Sequence, residues 1–251
     1  MRTTLLVIAA AVVFWGCSST KETQIPSADR LYLQATEKFN NEEYLEAIED
    51  FKTITIQYQG SEYADKAEYF LAECRYRREE YILAAAEYDI LIRTMPSSAL
   101  VAQARYRKAM SYYNLSPKSY LDQKYTTQAI DEFQAFLEYS PTDSLAKGAS
   151  EKIVELNNKL AKKDYDNAQL YYRMDYFKAA MAYYDYVLEH YHDSEYADHA
   201  LVGKARCQLE RKDYAGAQQS IDQFFDRFPG SLVTVDVQEL QKEVHTAQQM
   251  H

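Results

Sequence analysis

The chain has 251 residues, 47% hydrophobic and 26% charged, a globular composition sufficient for one large domain or two small ones. Its 6 Gly and 5 Pro are too few for a sandwich, a propeller or a collagen-like chain, and suit long helices with short connections. The formal net charge of −10 excludes phosphate-backbone binding as a main role, because that needs clustered Lys and Arg; no nucleic-acid partner is expected.

Residues 1–16 read as a signal peptide: Arg2 is followed by the apolar run Leu5–Phe14, too short for the roughly 20 residues that cross a bilayer. The run ends at Phe14-Trp15-Gly16-Cys17-Ser18-Ser19, where Gly16-Cys17 resembles a bacterial lipobox and Phe14-Trp15 is bulkier than usual. Cys17 is therefore the expected lipidation site, each buried methylene of its acyl (palmitate-type) chains contributing about 0.8 kcal/mol. The competing reading is an ordinary secreted chain cleaved nearby. Ser18, where Asp would retain a lipoprotein, resembles the pattern that sends lipoproteins to the outer membrane. Residues 17–28 read as a polar tether, and patterned sequence begins near Asp29.

From there one unit repeats five times. Small anchors stand at Ala47, Ala84, Ala129, Ala180 and Ala217, and four residues on stand Phe51, Tyr88, Phe133, Tyr184 and Ile221. Fourteen residues past each anchor come Ser61, Ser98, Asp143, Ser194 and Ser231, read as N-cap oxygens for the next helix. An aromatic precedes each anchor: Tyr44, Tyr81, Tyr125, Tyr176 and Tyr214. The first helix of each hairpin repeats as Tyr32/Ala35/Phe39, Tyr69/Ala72/Tyr76, Tyr106/Ala109/Tyr113, Tyr165/Ala168/Tyr172 and Val202/Ala205/Leu209. Spacings of three and seven put each trio on one helical face, where the alanine admits the partner helix and the large residues fill the sides.

Anchor spacings of 37, 45, 51 and 37 residues locate two insertions. Asn114–Leu121 extends the turn of repeat three, and Ser144–Lys163 lengthens a helix joining repeats three and four. Leu232–Met250 reads as a closing helix of the kind terminal repeats need. The fold expected is an all-α tetratricopeptide-repeat (TPR) right-handed superhelix: five helical hairpins plus a C-terminal capping helix, enclosing a concave groove. Residues 29–143 hold repeats one to three; residues 144–251 hold the linker helix, repeats four and five and the cap. Cys74 and Cys207 occupy equivalent places in distant repeats, beyond the roughly 7 Å Cα limit of a disulfide, so two buried free thiols are expected.

These features together make the chain resemble the BamD (ComL) family of outer-membrane assembly lipoproteins over nearly its whole length. The resemblance rests on Gly16-Cys17, the five hairpins, turns such as Phe228-Pro229-Gly230-Ser231, and the stretch from Leu160-Ala161 through Asp164 to Ala168, Tyr172, Tyr176 and Ala179-Ala180. Family members usually carry Glu where Asp164 stands, and many have an Arg in the second helix of repeat four, where this chain reads Met181-Ala182-Tyr183-Tyr184. The resemblance implies a non-catalytic scaffold lipoprotein of the β-barrel assembly machinery, anchored at the periplasmic face of the outer membrane and needing no cofactor. It implies C-terminal repeats that bind the barrel-forming subunit BamA, beside other lipoproteins of the machinery. It also implies N-terminal repeats that meet unfolded outer-membrane proteins through aromatic-ended targeting segments. The partner-binding candidates are Arg173, Tyr176, Tyr183, Tyr184 and Tyr214.

Read from the residues alone, the 24 tyrosines form a ladder suited to an extended peptide, since a phenol offers flat apolar area and a hydroxyl at low entropic cost. Tyr32, Tyr69, Tyr76, Tyr106 and Tyr113 are the peptide-binding candidates, and packing between repeats is the competing role for the same rings. Glu189–His199 carries three histidines without the convergent spacing zinc needs, so no metal site is expected. Arg75-x-Arg77-Arg78 is balanced by Glu79 and Glu80 and reads as an exposed helix end. No phosphate loop, His-Glu-x-x-His or nucleophile elbow occurs, which disfavours an enzyme. The alternative function is another periplasmic TPR adaptor of the cell envelope, although such proteins typically have fewer repeats and an N-terminal coiled coil.

Overall fold

A computed structural model describes residues 26–250. The leader, the lipidation candidate Cys17 and most of the tether lie outside the described residues. Eleven helices occupy those residues: α1 (Ala28–Asn40), α2 (Tyr44–Gln57), α3 (Ala64–Arg77), α4 (Tyr81–Thr94), α5 (Val101–Leu115), α6 (Lys124–Tyr139), α7 (Ala146–Arg173), α8 (Phe177–His190), α9 (Ala197–Glu210), α10 (Tyr214–Arg227) and α11 (Thr234–Gln249). Each packs chiefly on the next in sequence, the quasi-one-dimensional arrangement of a TPR solenoid. Among the described residues no helix is long and apolar enough to cross a membrane.

The five anchor alanines are fully buried, and the large residues four positions on are at most 1% exposed. Five buried clusters follow one another along the stack instead of merging into a central core. Each large side chain removed from water contributes about 1.5–3 kcal/mol, so stability accumulates repeat by repeat. The 28-residue α7 confirms the second insertion as one continuous helix whose C-terminal half is the first helix of repeat four. Cap helix α11 covers the last hairpin with Val237, Leu240 and Val244.

Two turn types close the units. Within four hairpins the turn carries Glu42, Glu79, Asp175 or Lys212 at φ of 65°, 61°, 59° and 62°. In repeat one, Glu43 N–H donates to Lys38 C=O at 2.9 Å and Glu42 N–H to Phe39 C=O at 3.1 Å, a Schellman closure that usually employs glycine. Between hairpins, the expected N-cap residues sit two residues before the true cap position. Leu145 N–H donates to Asp143 Oδ1 at 2.8 Å and Leu100 N–H to Ser98 Oγ at 3.1 Å, while the helices begin after Leu145 and Leu100, which have no side-chain cap. The oxygens of Ser98, Asp143, Ser194 and Ser231 organise the turns that feed their helices, whereas Ser61 Oγ is buried without a hydrogen-bond partner. Ser98 and Ser231 also donate to Asp65 and Asp198, 33 residues back, stapling neighbouring repeats. In repeat three the position preceding the anchor by three is Thr126, and in repeat four it is Phe177; Tyr125 and Tyr176 stand one residue earlier.

Cys74 and Cys207 are buried and unbridged as expected, and burial pushes both thiols up to about 12. The Arg75 side chain is not on an exposed end: it reaches back into the hairpin to Glu80 (3.0 Å) and Glu87 (3.1 Å), leaving Arg77 outside. Glu68, 4% exposed, has one carboxyl oxygen without a hydrogen-bond partner. Burial first, and then the neighbouring Glu87 carboxylate, push it up to about 7. An acid whose folded pKa is raised binds its proton more tightly when folded, so its contribution to stability declines as pH rises from about 4.5 through 7. Glu68→Gln is accordingly expected to raise the urea midpoint at pH 8 and to leave it nearly unchanged at pH 5. Equal effects at both pH values would place the proton elsewhere.

Candidate functional site

The first helices of the repeats bring the predicted peptide-binding tyrosines to successive repeat junctions, but into different environments. Tyr32 stacks on Tyr63 (ring centroids 5.0 Å) and edges Phe51. Tyr69 is 6% exposed and its hydroxyl donates to Glu73 Oε1 at 3.3 Å. Tyr106 is wedged between Phe133 and Phe136. All three rings fill the space between repeats. Tyr76 and Tyr113 stay half-buried with hydroxyls at the edge: Asn114 Nδ2 donates to Tyr76 Oη at 2.8 Å, and Lys152 Nζ donates to Tyr113 Oη at 2.7 Å. The Tyr113 hydroxyl donates in turn to Glu155 at 2.6 Å. Arg107 lies over the Tyr76 ring at 5.1 Å, and Lys152 over Tyr113 at 4.2 Å. Repeats two to four thus present an edge of phenols interleaved with Arg107, Asn114, Lys152 and Glu155.

Beneath that edge is a buried polar knot. Glu73 Oε1 accepts from the Tyr69 and Tyr88 hydroxyls and from Arg107 Nε at 2.9 Å, joining α3, α4 and α5. Burial and the adjacent Glu73 raise the pKa of both phenols well above the ordinary value. Sequence spacing could not show this knot, because Tyr88 and Arg107 arrive from other helices.

The C-terminal half differs. Three residues past each alanine of the two paired helices, a hairpin carries a cross-pair: Lys38–Asp50 in repeat one, Arg75–Glu87 in repeat two and Gln208–Ser220 in repeat five. In repeat four that place is taken by Tyr171 stacked on Tyr183, with centroids 5.4 Å apart and planes at 16°. Around this stack Tyr176 is 57% exposed, Met174 50%, Leu170 47% and Tyr186 44%. On α8, Ala179, Ala182, Tyr183 and Tyr186 recur at helical spacing and form an outward apolar stripe opposite the buried Ala180 and Tyr184. A hollow of about 200 Å³ opens between Asp164, Ala182, Tyr183 and Tyr186. Burial raises the pKa of the Asp164 carboxyl there.

Of the predicted partner-binding residues, the structure brings Tyr176 and Tyr183 together around Tyr171, and Arg173 is exposed at the end of α7. Tyr184 belongs to the core instead: it is 1% exposed, and its hydroxyl accepts from Gln169 Nε2 at 2.8 Å. It is the large residue four past the anchor, a position the repeat pattern itself assigns to the core. Tyr214 packs with the repeat-five cluster. Tyr186 was not singled out, although the run Phe177–His190, apolar on two faces, was a readable signal; Met174 and Leu170 carried no such signal. Among the described residues no three His, Cys, Asp or Glu side chains converge as metal ligands.

Comparison with known proteins gives a consistent picture. Residues 25–209 match the family described as YfiO, outer membrane lipoprotein. A protein of Rickettsia prowazekii (strain Madrid E) named outer membrane protein assembly factor BamD is 28% identical over 199 residues, 78% of this chain and 78% of that relative. The protein of the same name in Vibrio cholerae serotype O1 is 22% identical over 232 residues, 87% of this chain and 94% of that relative. Among solved structures, a TPR-repeat protein of Bacteroides fragilis covers 88% of this chain and 99% of its own length at 13% identity, with a TM-score of 0.48.

Proposed function

This chain belongs to the YfiO family of outer membrane lipoproteins, and from that membership we infer that it is a non-catalytic scaffold of the outer-membrane β-barrel assembly machinery. In this reading Cys17 carries the lipid anchor and holds the repeats at the periplasmic face of the outer membrane. Repeats four and five bind the barrel-forming subunit BamA, with other lipoproteins of the machinery alongside. The observation that carries the assignment is the aromatic face of repeat four, where a tyrosine stack and exposed Tyr176, Tyr186 and Met174 replace the polar pairs of repeats one, two and five. Aromatic anchors with apolar neighbours are what protein interfaces concentrate at their centres. Asp164, half-buried beside Tyr183 and Tyr186, offers a carboxylate to a cationic group of the partner.

The edge formed by Tyr76, Tyr113, Arg107 and Asn114 is the surface for unfolded outer-membrane proteins. Its exposed phenol hydroxyls and amide suit the backbone of an extended segment, whereas Tyr32, Tyr69 and Tyr106 support it from between the repeats. Site-specific photocrosslinking in the native envelope tests both halves. A photoreactive residue at Tyr186 is expected to capture the barrel-forming subunit, and one at Tyr76 unfolded barrel substrates. Capture at Tyr186 of periplasmic enzymes alone would overturn the assignment in favour of a general envelope adaptor.

A further inference from the structure

The two insertions do more than space the repeats. The turn at residues 116–123 and the first half of α7 border, with the α8–α9 turn, an open hollow of about 460 Å³. Its shape is built in advance. Gln123, 7% exposed, donates from Nε2 to the carbonyls of Lys118 (2.8 Å), Ser119 (3.2 Å) and Leu121 (3.0 Å), and accepts from Thr126 Oγ1 at 2.7 Å. One side-chain amide thus satisfies three carbonyls of a turn that lacks regular structure. At the floor the Lys159 ammonium donates to the neutral Ser116 Oγ at 2.8 Å and has no carboxylate within ion-pair distance among the described residues. Desolvation lowers its pKa, and the Glu155 carboxylate one helical turn back offsets that only in part. Lys118 stands exposed at the rim without an ion pair among the described residues, whereas the nearby Lys162 is held by Asp166 at 3.0 Å. Two tyrosines line it: Tyr120 is 71% exposed, and Tyr196 has Lys162 over its ring at 5.7 Å.

A partly desolvated ammonium with no carboxylate in direct contact, beside aromatic walls, calls for an anion attached to something apolar. Glu195 at the rim, and Glu155 already engaged by Tyr113 and Lys152, oppose a doubly charged phosphate more than a singly charged carboxylate. We propose that this hollow is a binding site for an acidic peptide segment, with Lys159 and Lys118 holding an aspartate or glutamate carboxylate and Tyr120 and Tyr196 clasping the adjoining apolar side chain. The site is distinct from the repeat-four face and adjoins the phenol edge at Glu155, and it does not depend on the assembly role.

Fluorescence anisotropy with the purified chain tests it, using a fluorescein-labelled peptide, Gly-Phe-Asp-Leu-Glu-Gly, blocked at both ends. Lys159→Gln is expected to weaken binding about tenfold, the equivalent of one charge-assisted hydrogen bond. Lys118→Gln is expected to weaken it less, and Glu195→Gln to strengthen it. The amide peptide, with Asn and Gln for its acids, is expected not to bind. Lys118 lies on the exposed turn, so its variant keeps the test valid should Lys159→Gln lower the melting temperature. No binding by the native chain, equal binding of the amide peptide, unchanged affinity in both lysine variants, or displacement by inorganic phosphate at lower concentration than by acetate would each overturn the proposal.

Discussion

Glu73→Ala is expected to lower the stability of the repeat stack by about 3–5 kcal/mol, the range for removing one member of a buried charge pair. In a chain of this size that corresponds to a fall of about 10 °C in the melting midpoint, read by circular dichroism. The physical reason is asymmetry. The Glu73 side chain is 5% exposed, and one of its oxygens serves Tyr69, Tyr88 and Arg107 together. Truncation deletes a single acceptor but strands two phenol hydroxyls that burial has already separated from water, and leaves the 29%-exposed Arg107 guanidinium without its carboxylate. Each orphaned neutral donor costs about 1–3 kcal/mol and a charged one more. Removing the whole knot is expected to cost far less than removing its centre: Glu73→Leu combined with Arg107→Met, Tyr69→Phe and Tyr88→Phe should recover much of the loss. A loss below about 1 kcal/mol for Glu73→Ala would mean that water reaches the site and the knot is not sealed. Since Arg107 also stacks on Tyr76, the same variant is expected to loosen the phenol edge, and so to weaken substrate capture at Tyr76.

Gly203→Ala is expected to destabilise the C-terminal half by about 2–3 kcal/mol, an overpacking cost. On an exposed helix the same change would stabilise by about 1 kcal/mol through helix propensity, so the sign itself is diagnostic. A Cβ on Gly203 would stand 2.3 Å from Cζ of the Tyr184 ring and 2.6 Å from its hydroxyl. That ring cannot step aside, because it is 1% exposed, packed against Tyr165 and hydrogen-bonded to Gln169. Tyr184→Phe leaves the offending ring carbon in place and should rescue little, whereas Tyr184→Leu should rescue most of the loss. Differential scanning calorimetry of the single and double variants decides it: a stabilised Gly203→Ala would show that α8 and α9 can separate without penalty.

Much of the architecture was legible because repeats state each local rule five times. Alanine recurring with a large residue four positions on specifies which helix face is buried, and both insertions were visible as departures from a 37-residue spacing. Legibility failed in two ways. Ser98 and Asp143 were recognisable as oxygens near a helix start, but one more turn of backbone intervenes, since helix limits depend on hydrogen bonds that composition does not encode. The tyrosines were recognisable as one periodic set, yet Tyr69 and Tyr184 are sealed while Tyr76, Tyr176 and Tyr186 are open or partly open.

Taken alone, the amino-acid order determined the all-helical repeat architecture, its insertions and its capping helix, because a 3.6-residue period fixes the direction of each side chain from its own helix. Only the assembled stack decided which of those side chains meet water. Exposure depends on what the neighbouring repeat places opposite, and Glu73, Tyr88 and Arg107, or Lys159 and Ser116, become partners only when helices distant in sequence are packed together.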